Sequence, residues 1–540
     1  MANPFSDTLF QLICSLEKAE KRHFKLYIKR SSAKEDLKII RLFDTLDNLA
    51  EYDEKLVFKR LPDITKPQLS NLKTHLYKQL LASLRLLKTT ENTDLKLSEH
   101  LDNARLLYNK GLKLQSLHIL EKAKELAKAN HKFNFLVQVI SLEKKIETLH
   151  ITRSTLDKTQ TLTEEASEIS DHIDRVTRLS NLALLLYRWY VKNGHARNSQ
   201  DELELRKFFS ESLPVNPQAI NGFYEELYLY QSYCWYAFIR QDFLMYYRYS
   251  QKWIDLFTEK EVMISVETGH YIKGMHNLLN AHFVLRNFRK FESTLKQFKE
   301  FAVTPAANVH DNFRTHTSIY INSAKLNQVL MQGNFRDGLA LVPAVEEKLK
   351  EYALFVDSHR IMVFNYKIAT LYFGAGEYGK AIDFLHKIIN DNQPGLRNDL
   401  QCYARLMHLI CHFELGNEEI LDSLIKSVYR FMARMKNLTI VEEEIFSLLR
   451  RSFKVRAGDL KPELEKFLDK IKHLEKARFE SRSFAYLDII SWVESKIHKI
   501  PMEVLIHKKF IKSKRRKDLH PVSNDYRIQA EPRKQLKGRA

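Results

Sequence analysis

A pattern of helix, tight turn and helix recurs between residues 241 and 425, and it constrains the fold of this 540-residue chain more than any other feature. Its clearest copy is KIATLYFGAGEYGKAIDFLHKIIN, residues 367–390. The aromatic residues that follow successive turns, Phe243, Phe288, Phe335 and Tyr378, are spaced 45, 47 and 43 residues apart. A helical pair that repeats in this way predicts a solenoid, because one pair alone cannot bury its apolar face.

Residues that break helices are scarce along the whole chain. Glycine accounts for 14 and proline for 12 of the 540 residues, which favours helix throughout. We therefore predict an all-α protein, an α-solenoid of stacked helical hairpins with a helical N-terminal segment. The pattern divides the chain into an N-terminal segment (1–90), a first helical repeat region (91–213), the main solenoid (214–500) and a basic, disordered tail (501–540).

Four of the turns share an arrangement of glycine and apolar residues, and three of them also have a small residue five positions after the glycine, which Leu421 replaces in the fourth. The matching positions are Gly111, Ser116, Leu120 and Ala123; Gly333, Phe335, Gly338, Val342 and Val345; Gly376, Tyr378, Ala381, Leu385 and Ile388; and Gly416, Leu421, Ile425 and Val428. Glycine tolerates the positive φ of a tight turn, and a small residue five positions later lets two helices approach closely. Weaker copies turn at Gln241 and Arg286.

This arrangement resembles the tetratricopeptide repeats, although the spacing here is longer than the 34 residues of that family. The layout is also similar to that of large uncharacterised proteins of Bacteroidetes bacteria, a similarity that implies no activity. In tetratricopeptide proteins the first helix of each pair lines a concave groove, at repeat positions five and nine. The equivalent positions here are Gln231 and Trp235, His276 and Asn280, Ser323 and Asn327, and Tyr366 and Thr370.

Most of these groove positions are polar, where a core would be apolar. The resemblance therefore implies a non-catalytic scaffold or adaptor that binds a protein or peptide partner in the groove. On this hypothesis we expect Asn280 and Asn327 to be solvent-accessible and to face the same side.

The basic charge of the chain, +19 in total, is concentrated at its end. Residues 501–540 contain 12 Lys and Arg against 4 Asp and Glu. The densest run consists of Lys508, Lys509, Lys512, Lys514, Arg515, Arg516 and Lys517. Such a run can neutralise phosphates and predicts salt-dependent binding of RNA or DNA, as in a ribosome-associated protein. It would equally suit an acidic protein or an anionic membrane surface, or only solvate the chain.

We expect deletion of residues 507–540 to leave the fold intact, because the apolar periodicity fades after Pro501.

The segment around helix 66–88 allows a third hypothesis. A short helix, a turn and this long basic helix resemble a helix-turn-helix in outline, so the protein could be a DNA-binding regulator with peptide-sensing repeats. Against this, Leu69, Leu76 and Leu80 belong to a continuous apolar stripe. Such a stripe favours a helical hairpin that begins the solenoid.

The sequence around each candidate catalytic, cofactor or metal motif does not fit that motif. GAGEYG, residues 374–379, matches the dinucleotide fingerprint as a string, but a predicted helix precedes it instead of a strand. The densest group of potential metal ligands is Cys402, His408, Cys411 and His412, on the predicted packing face of a repeat. We therefore predict no enzyme, no cofactor and no metal.

The ends and cysteines of the chain predict a cytoplasmic protein. The first residues do not resemble a secretion signal, and no segment reaches the ~18 apolar residues of a membrane helix. The four cysteines form no CxxC motif, which favours reduced thiols.

Overall fold

The computed structural model describes residues 7–30, 34–90, 92–150, 156–213, 220, 222–353, 355–391, 397–435, 438–452, 460–477 and 479–519. Every regular element in these ranges is a helix, so the predicted all-α fold class is confirmed. Within the same ranges, no helix is both long and apolar enough to cross a membrane.

The chain divides into two compact units, Met1–Asp174 and Arg175–Ala540. The division falls inside one long helix, Leu156–Asn193. The finer division into four segments stays a prediction, except for the tail, which is corrected below.

Unit 1 is built from short helices, each of which packs against its neighbours. They are α1 (Thr8–Ser15), α2 (Lys18–Lys29), α3 (Lys34–Asp47), α4 (Glu54–Arg60), α5 (Lys66–Lys88), α6 (Thr93–Asn109), α7 (Lys113–Ala129), α8 (Phe133–His150) and the first part of α9 (Leu156–Asn193). Helices α1–α5 share one apolar core, and α6–α8 share a second. The leucine stripe of α5 lies in the first core, as expected for a hairpin helix, with Leu76 and Leu80 fully buried.

Unit 2 continues from the second part of α9. Its helices are α10 (Ser199–Ser212), α11 (Phe223–Ile239), α12 (Phe243–Glu259), α13 (Val262–Val266), α14 (Thr268–Val284), α15 (Phe288–Ala302), α16 (Pro305–Asn308), α17 (Asp311–Gln332), α18 (Phe335–Leu339), α19 (Val342–Glu351), α20 (Ser358–Ala375), α21 (Tyr378–Ile389), α22 (Asn398–Glu414), α23 (Glu418–Arg434), α24 (Ile440–Ser452), α25 (Leu460–Lys472), α26 (Ser481–Tyr486), α27 (Ile489–His498) and α28 (Met502–Leu519).

The turns of the predicted repeats share one backbone geometry. Gly111, Gly333, Gly376 and Gly416 all adopt a positive φ, between 70° and 82°. In each case the next residue donates its N–H to the carbonyl five positions earlier, at 2.9–3.3 Å, which is the Schellman arrangement. Non-glycine residues make the same turn at the two weaker copies, where the φ values are 59° and 53°.

The hairpins of unit 2 follow one another as the repeat pattern predicts. Helix α11 packs on α12, α12 on α14, α14 on α15 and α17, α17 on α20, α20 on α21 and α22, and α22 on α23. One second helix is interrupted, because α18 ends at Leu339 and α19 begins at Val342 with Pro343 in its first turn. Proline has no N–H to continue the hydrogen bonds of α18.

The predicted disorder of residues 501–540 is wrong for residues 502–519, which form α28. This helix packs on α17, α20 and α27. Ile506 is buried, and the Phe510 ring lies 4.8 Å from the ring of Phe288. The sequence pattern is weak here because α28 buries only a few apolar side chains among many charged ones. Residues 520–540 lie outside the described ranges.

Candidate functional site

Unit 2 contains a cavity of about 460 Å³. Its wall includes the end of α9 and the first helices of successive pairs, α11, α14, α17 and α20. Residues of α12, α18, α22, α26 and α28, and of the segment between α26 and α27, also line it. This volume is within the range of small-molecule pockets. The sequence predicted a concave groove lined by the first helices, and the C-terminal helices also contribute to its wall.

Seven of the eight predicted groove residues line this one cavity. They are Trp235, His276, Asn280, Ser323, Asn327, Tyr366 and Thr370. The eighth, Gln231, is buried elsewhere, with its Nε2 atom 2.9 Å from Nδ1 of His270. The expected solvent access is wrong for Asn327, which is 2% exposed, whereas Asn280 is half-buried. Asn327 is buried because the first helices of neighbouring pairs pack directly on each other.

One part of the cavity wall is aromatic. The Trp235 ring lies 4.7 Å from the ring of Tyr187 and 5.5 Å from that of Tyr190, on which it stacks. Further along the wall, the rings of His276 and Tyr320 are parallel and 4.0 Å apart. These stacked pairs form flat, weakly polar surfaces that suit a planar ligand.

Two lysine side chains enter the cavity without an anionic partner. Lys273 places its Nζ atom over the rings of Tyr187 and Trp235, at 5.1 and 5.7 Å from their centroids. Lys367 donates a hydrogen bond to the Ser323 Oγ atom, at 2.6 Å. Neither lysine forms an ion pair with any residue in the described ranges.

Burial changes the protonation of these groups. It lowers the pKa of Lys367 to about 7, and burial together with the nearby Arg360 lowers the pKa of Lys273 to about 8. Burial also lowers the pKa of His276 to about 3, helped by the positive charges of Lys367, Arg360 and Lys273. The His276 ring is therefore neutral at pH 7, and three cationic side chains act on it.

Two arginines on the wall are compensated by other groups. Arg360 pairs with Asp357 and donates to the Tyr320 hydroxyl at 3.1 Å. Arg397 makes two hydrogen bonds to the buried carboxylate of Asp399, at 2.8 and 2.9 Å. The uncompensated positive charge of the cavity therefore comes from the lysines.

Three buried polar atoms of wall residues have no hydrogen-bond partner among the described residues. They are Nδ2 of Asn277, Oδ1 of Asn327 and Nδ1 of His359. Both asparagines are almost fully buried, at 5% and 2% exposure. Buried polar atoms are rarely left unpaired, so these positions lower the stability of the fold around the cavity.

The sequence analysis did not identify the cationic residues of the cavity. Lys273 lies one turn before His276, and Lys367 follows Tyr366. Each is the single lysine of its first helix, which was the available signal in both cases. Tyr486 had no comparable signal in the sequence, because it lies 120 residues after Tyr366. The two residues meet only in the fold, where the Tyr366 hydroxyl donates to the Tyr486 carbonyl oxygen at 3.0 Å.

The predicted polyanion-binding residues lie on α28. Lys508 and Lys512 are exposed and one turn apart, whereas Lys509 pairs with Glu494 at 2.6 Å. The side chains of Lys514, Arg515, Arg516 and Lys517 lie outside the described part of the chain.

The basic residues of α5, which suggested a helix-turn-helix, mostly have acidic partners. Lys73 pairs with Asp7, and Arg85 pairs with Asp102 at 3.1 Å. A third, Lys88, pairs with Glu20 at 3.4 Å. These pairs reduce the charge that α5 can offer to DNA.

The glycines of the GAGEYG string have structural roles. Gly374 lies against the Phe335 ring, where an added Cβ would come within 2.5 Å, and Gly376 forms the left-handed turn after α20.

In the group of potential metal ligands around His408, Cys402 and Cys411 are fully buried in the apolar core. His408 lies 3.0 Å from His386 and 3.3 Å from His412, measured between Nε2 atoms. Among the described residues, no group of three or more His, Cys, Asp or Glu side chains has a geometry that could hold a metal.

No protein-family model matches this chain, and no curated protein matches it. The similarity to tetratricopeptide repeats therefore stays a prediction from the residues quoted above.

Proposed function

We propose that this protein is a non-catalytic binding protein whose recognition site is the cavity of unit 2. One observation carries the proposal: seven residues chosen from repeat positions alone line a single cavity. Repeat proteins of stacked helical pairs use such surfaces to bind other molecules. The partner that we propose is a protein that inserts a peptide segment or side chain between the first helices.

The chemistry of the wall is suited to binding. Its rings, amides and cations can hold and orient a ligand. Two of its histidines are kept neutral by burial, since the pKa of His276 is about 3 and that of His359 about 4. A neutral imidazole with so low a pKa is a weak base at pH 7.

Affinity purification from the native organism, with and without nuclease, tests this proposal. Asn280→Trp should fill part of the cavity and release the partner, because Asn280 is half-buried on the wall. Lys296→Trp is the matched control, since this exposed residue of α15 lies outside the cavity. A partner that binds parent and Asn280→Trp protein equally, in the presence of nuclease, would rule out the cavity as the recognition site.

We propose nucleic-acid binding as the second candidate function. It is favoured by Lys508 and Lys512, which are exposed and one turn apart on α28. Changing both to Glu should weaken binding of RNA or DNA at low salt, because each lost phosphate contact reduces counterion release. The matched control changes Lys296 and Lys299, which are exposed on α15, to Glu. Equal binding by the two variants would refute a role of α28 and would direct attention to α5.

We also propose that the protein acts in the cytoplasm. Its four cysteines, Cys14, Cys234, Cys402 and Cys411, are free thiols, as expected in a reducing compartment. Fractionation of native cells, followed by detection of the protein, tests the location.

A further inference from the structure

We propose that the cavity of unit 2 binds an organic anion that carries an aromatic ring. Its anionic group, a carboxylate or a phosphate, would lie beside His276 among Lys273, Arg360 and Lys367. Its ring would lie against Trp235 and Tyr187. This inference rests on the proposed function, since it names the chemistry that the same site recognises.

The first argument is charge complementarity. Lys273 and Lys367 are half-buried on the cavity wall, and neither has a carboxylate partner among the described residues. An ammonium group that is partly removed from water without a counter-charge is unfavourable, and proteins usually pair such groups. An anionic ligand would supply the missing charge to both lysines at once.

The second argument is convergence. The two lysines come from different helices, α14 and α20, as do their neighbours on the wall. Nevertheless both lysines and the paired Arg360 line the same cavity as His276, and the positive charges of all three act on its half-buried ring. The positive charge is therefore directed at one region of the cavity.

The third argument concerns the rest of the wall. Next to the cationic region, Tyr187, Tyr190 and Trp235 form an aromatic cluster, with Lys273 over two of the rings. An inorganic ion alone would leave this aromatic cluster unused, whereas a neutral aromatic molecule would leave both lysines without a counter-charge.

Isothermal titration calorimetry of the full chain at about pH 6.5, below both lowered lysine pKa values, tests the inference. The probes are phenyl phosphate, inorganic phosphate and phenol. We expect phenyl phosphate to bind at least about tenfold more tightly than either of the others. Equal binding of phenyl phosphate and inorganic phosphate, or no binding of phenyl phosphate, would overturn the inference.

A further pair of probes distinguishes the two sources of such a ligand. A short peptide with an internal phosphotyrosine represents a segment of a partner protein, and phenyl phosphate represents a free small molecule. Tighter binding of the peptide than of phenyl phosphate supports a protein source, whereas binding of phenyl phosphate alone supports a free metabolite. Both results support the aromatic anion, and failure of both probes contradicts it.

The variants Lys273→Met and Lys367→Met identify the residues that bind the anion. Each should weaken phenyl phosphate binding at least about tenfold, while Lys296→Met, on the exposed face of α15, should leave it unchanged. Melting curves show whether the variants fold, and we expect melting temperatures at or above that of the parent, because each change removes an unpaired buried charge. Parent-like binding by both variants would contradict the inference.

The proposed function and this inference can fail separately. Suppose that the cavity variant Asn280→Trp releases a captured protein but the parent binds none of the aromatic anions. The cavity then remains the recognition site, and the inference that its ligand is an aromatic anion is refuted. If phenyl phosphate binds in a lysine-dependent way but Asn280→Trp still captures the protein, the ligand chemistry stands. The proposal of a protein partner in the cavity is then refuted.

Discussion

At the scale of single residues, Lys367 shows that this fold keeps a lysine without an ion-pair partner on the wall of its cavity. Its ammonium group donates to a serine hydroxyl but forms no ion pair with any residue that the structure describes, and burial lowers its pKa from 10.5 to about 7. A residue that only had to fill this position would be apolar. Retaining a lysine here lowers the stability of the unliganded protein, as functional sites commonly do.

The first prediction is that Lys367→Met stabilises the protein most below about pH 7, where Lys367 is protonated in both the folded and the unfolded chain. From about pH 7 to about 9.5, Lys367 is protonated in the unfolded chain but loses its proton in the folded one. The parent therefore gains stability as pH rises, and its deficit relative to Lys367→Met should shrink by up to about 1.4 kcal/mol per pH unit. Urea unfolding of both proteins at several pH values measures this gap.

Other groups on the same wall titrate or carry charge, so the parent alone would not isolate Lys367. They are Lys273, His195, His276, Arg286, His359, Arg360, Arg397, Asp488 and the cavity tyrosines. All of them are present in both proteins, and their contributions largely cancel in the difference. A gap that does not change with pH would mean that Lys367 stays protonated when folded.

At the scale of elements, the turns show where the sequence is a reliable guide. Gly333, Gly376 and Gly416 were identified from glycine and its spacing, and the left-handed conformation requires a property of glycine itself. The same turn at Gln241 and Arg286 could be predicted only by analogy with the repeat period. Helix α28 could not be predicted, because its position depends on distant contacts such as that between Phe510 and Phe288.

The second prediction compares two glycines of the same turn. Gly376 has a φ of +82° and open space around its missing Cβ, so Gly376→Ala tests backbone strain alone and should cost about 1 kcal/mol. Gly379 also has open space but an ordinary φ inside α21. Gly379→Ala should therefore leave stability unchanged or raise it by up to about 1 kcal/mol. Equal effects in urea unfolding would mean that the turn is wrongly placed.

The third prediction concerns α28, which is now expected to contribute to stability. Phe510→Ala removes a half-buried ring that contacts Phe288 and should cost about 1–3 kcal/mol of unfolding free energy. Lys512→Ala, on the exposed side of the same helix, should stay within about 0.5 kcal/mol. Chemical denaturation distinguishes the two. A neutral Phe510→Ala would support the original expectation that the segment does not belong to the fold.

At the scale of the whole molecule, the limits of sequence reasoning lie in long-range assembly. Repeat positions brought Asn280 and Asn327 to the same cavity, because equivalent positions of stacked pairs face the same way. They could not show that Tyr486 and Ile506, from the C-terminal helices, would help to form its wall. The expected concave groove is therefore also lined by C-terminal helices, and the expected exposure of Asn327 is wrong.

The last prediction follows from the division of the chain into two units. Every residue that lines the cavity lies between Tyr187 and Ile506, and the apolar cores of residues 7–90 are separate from those of unit 2. A fragment of residues 156–540, which keeps α9 whole, should therefore bind phenyl phosphate with the affinity of the full chain.

The complementary fragment, residues 1–150, contains two apolar cores of its own and should fold without the cavity. It should show a helical circular dichroism spectrum and cooperative melting, but no binding of phenyl phosphate. The physical reason is that burial within each core supplies most of the folding free energy, and these cores share no residue with unit 2. Loss of binding by the fragment of residues 156–540, with its helical content retained, would show that the site depends on unit 1.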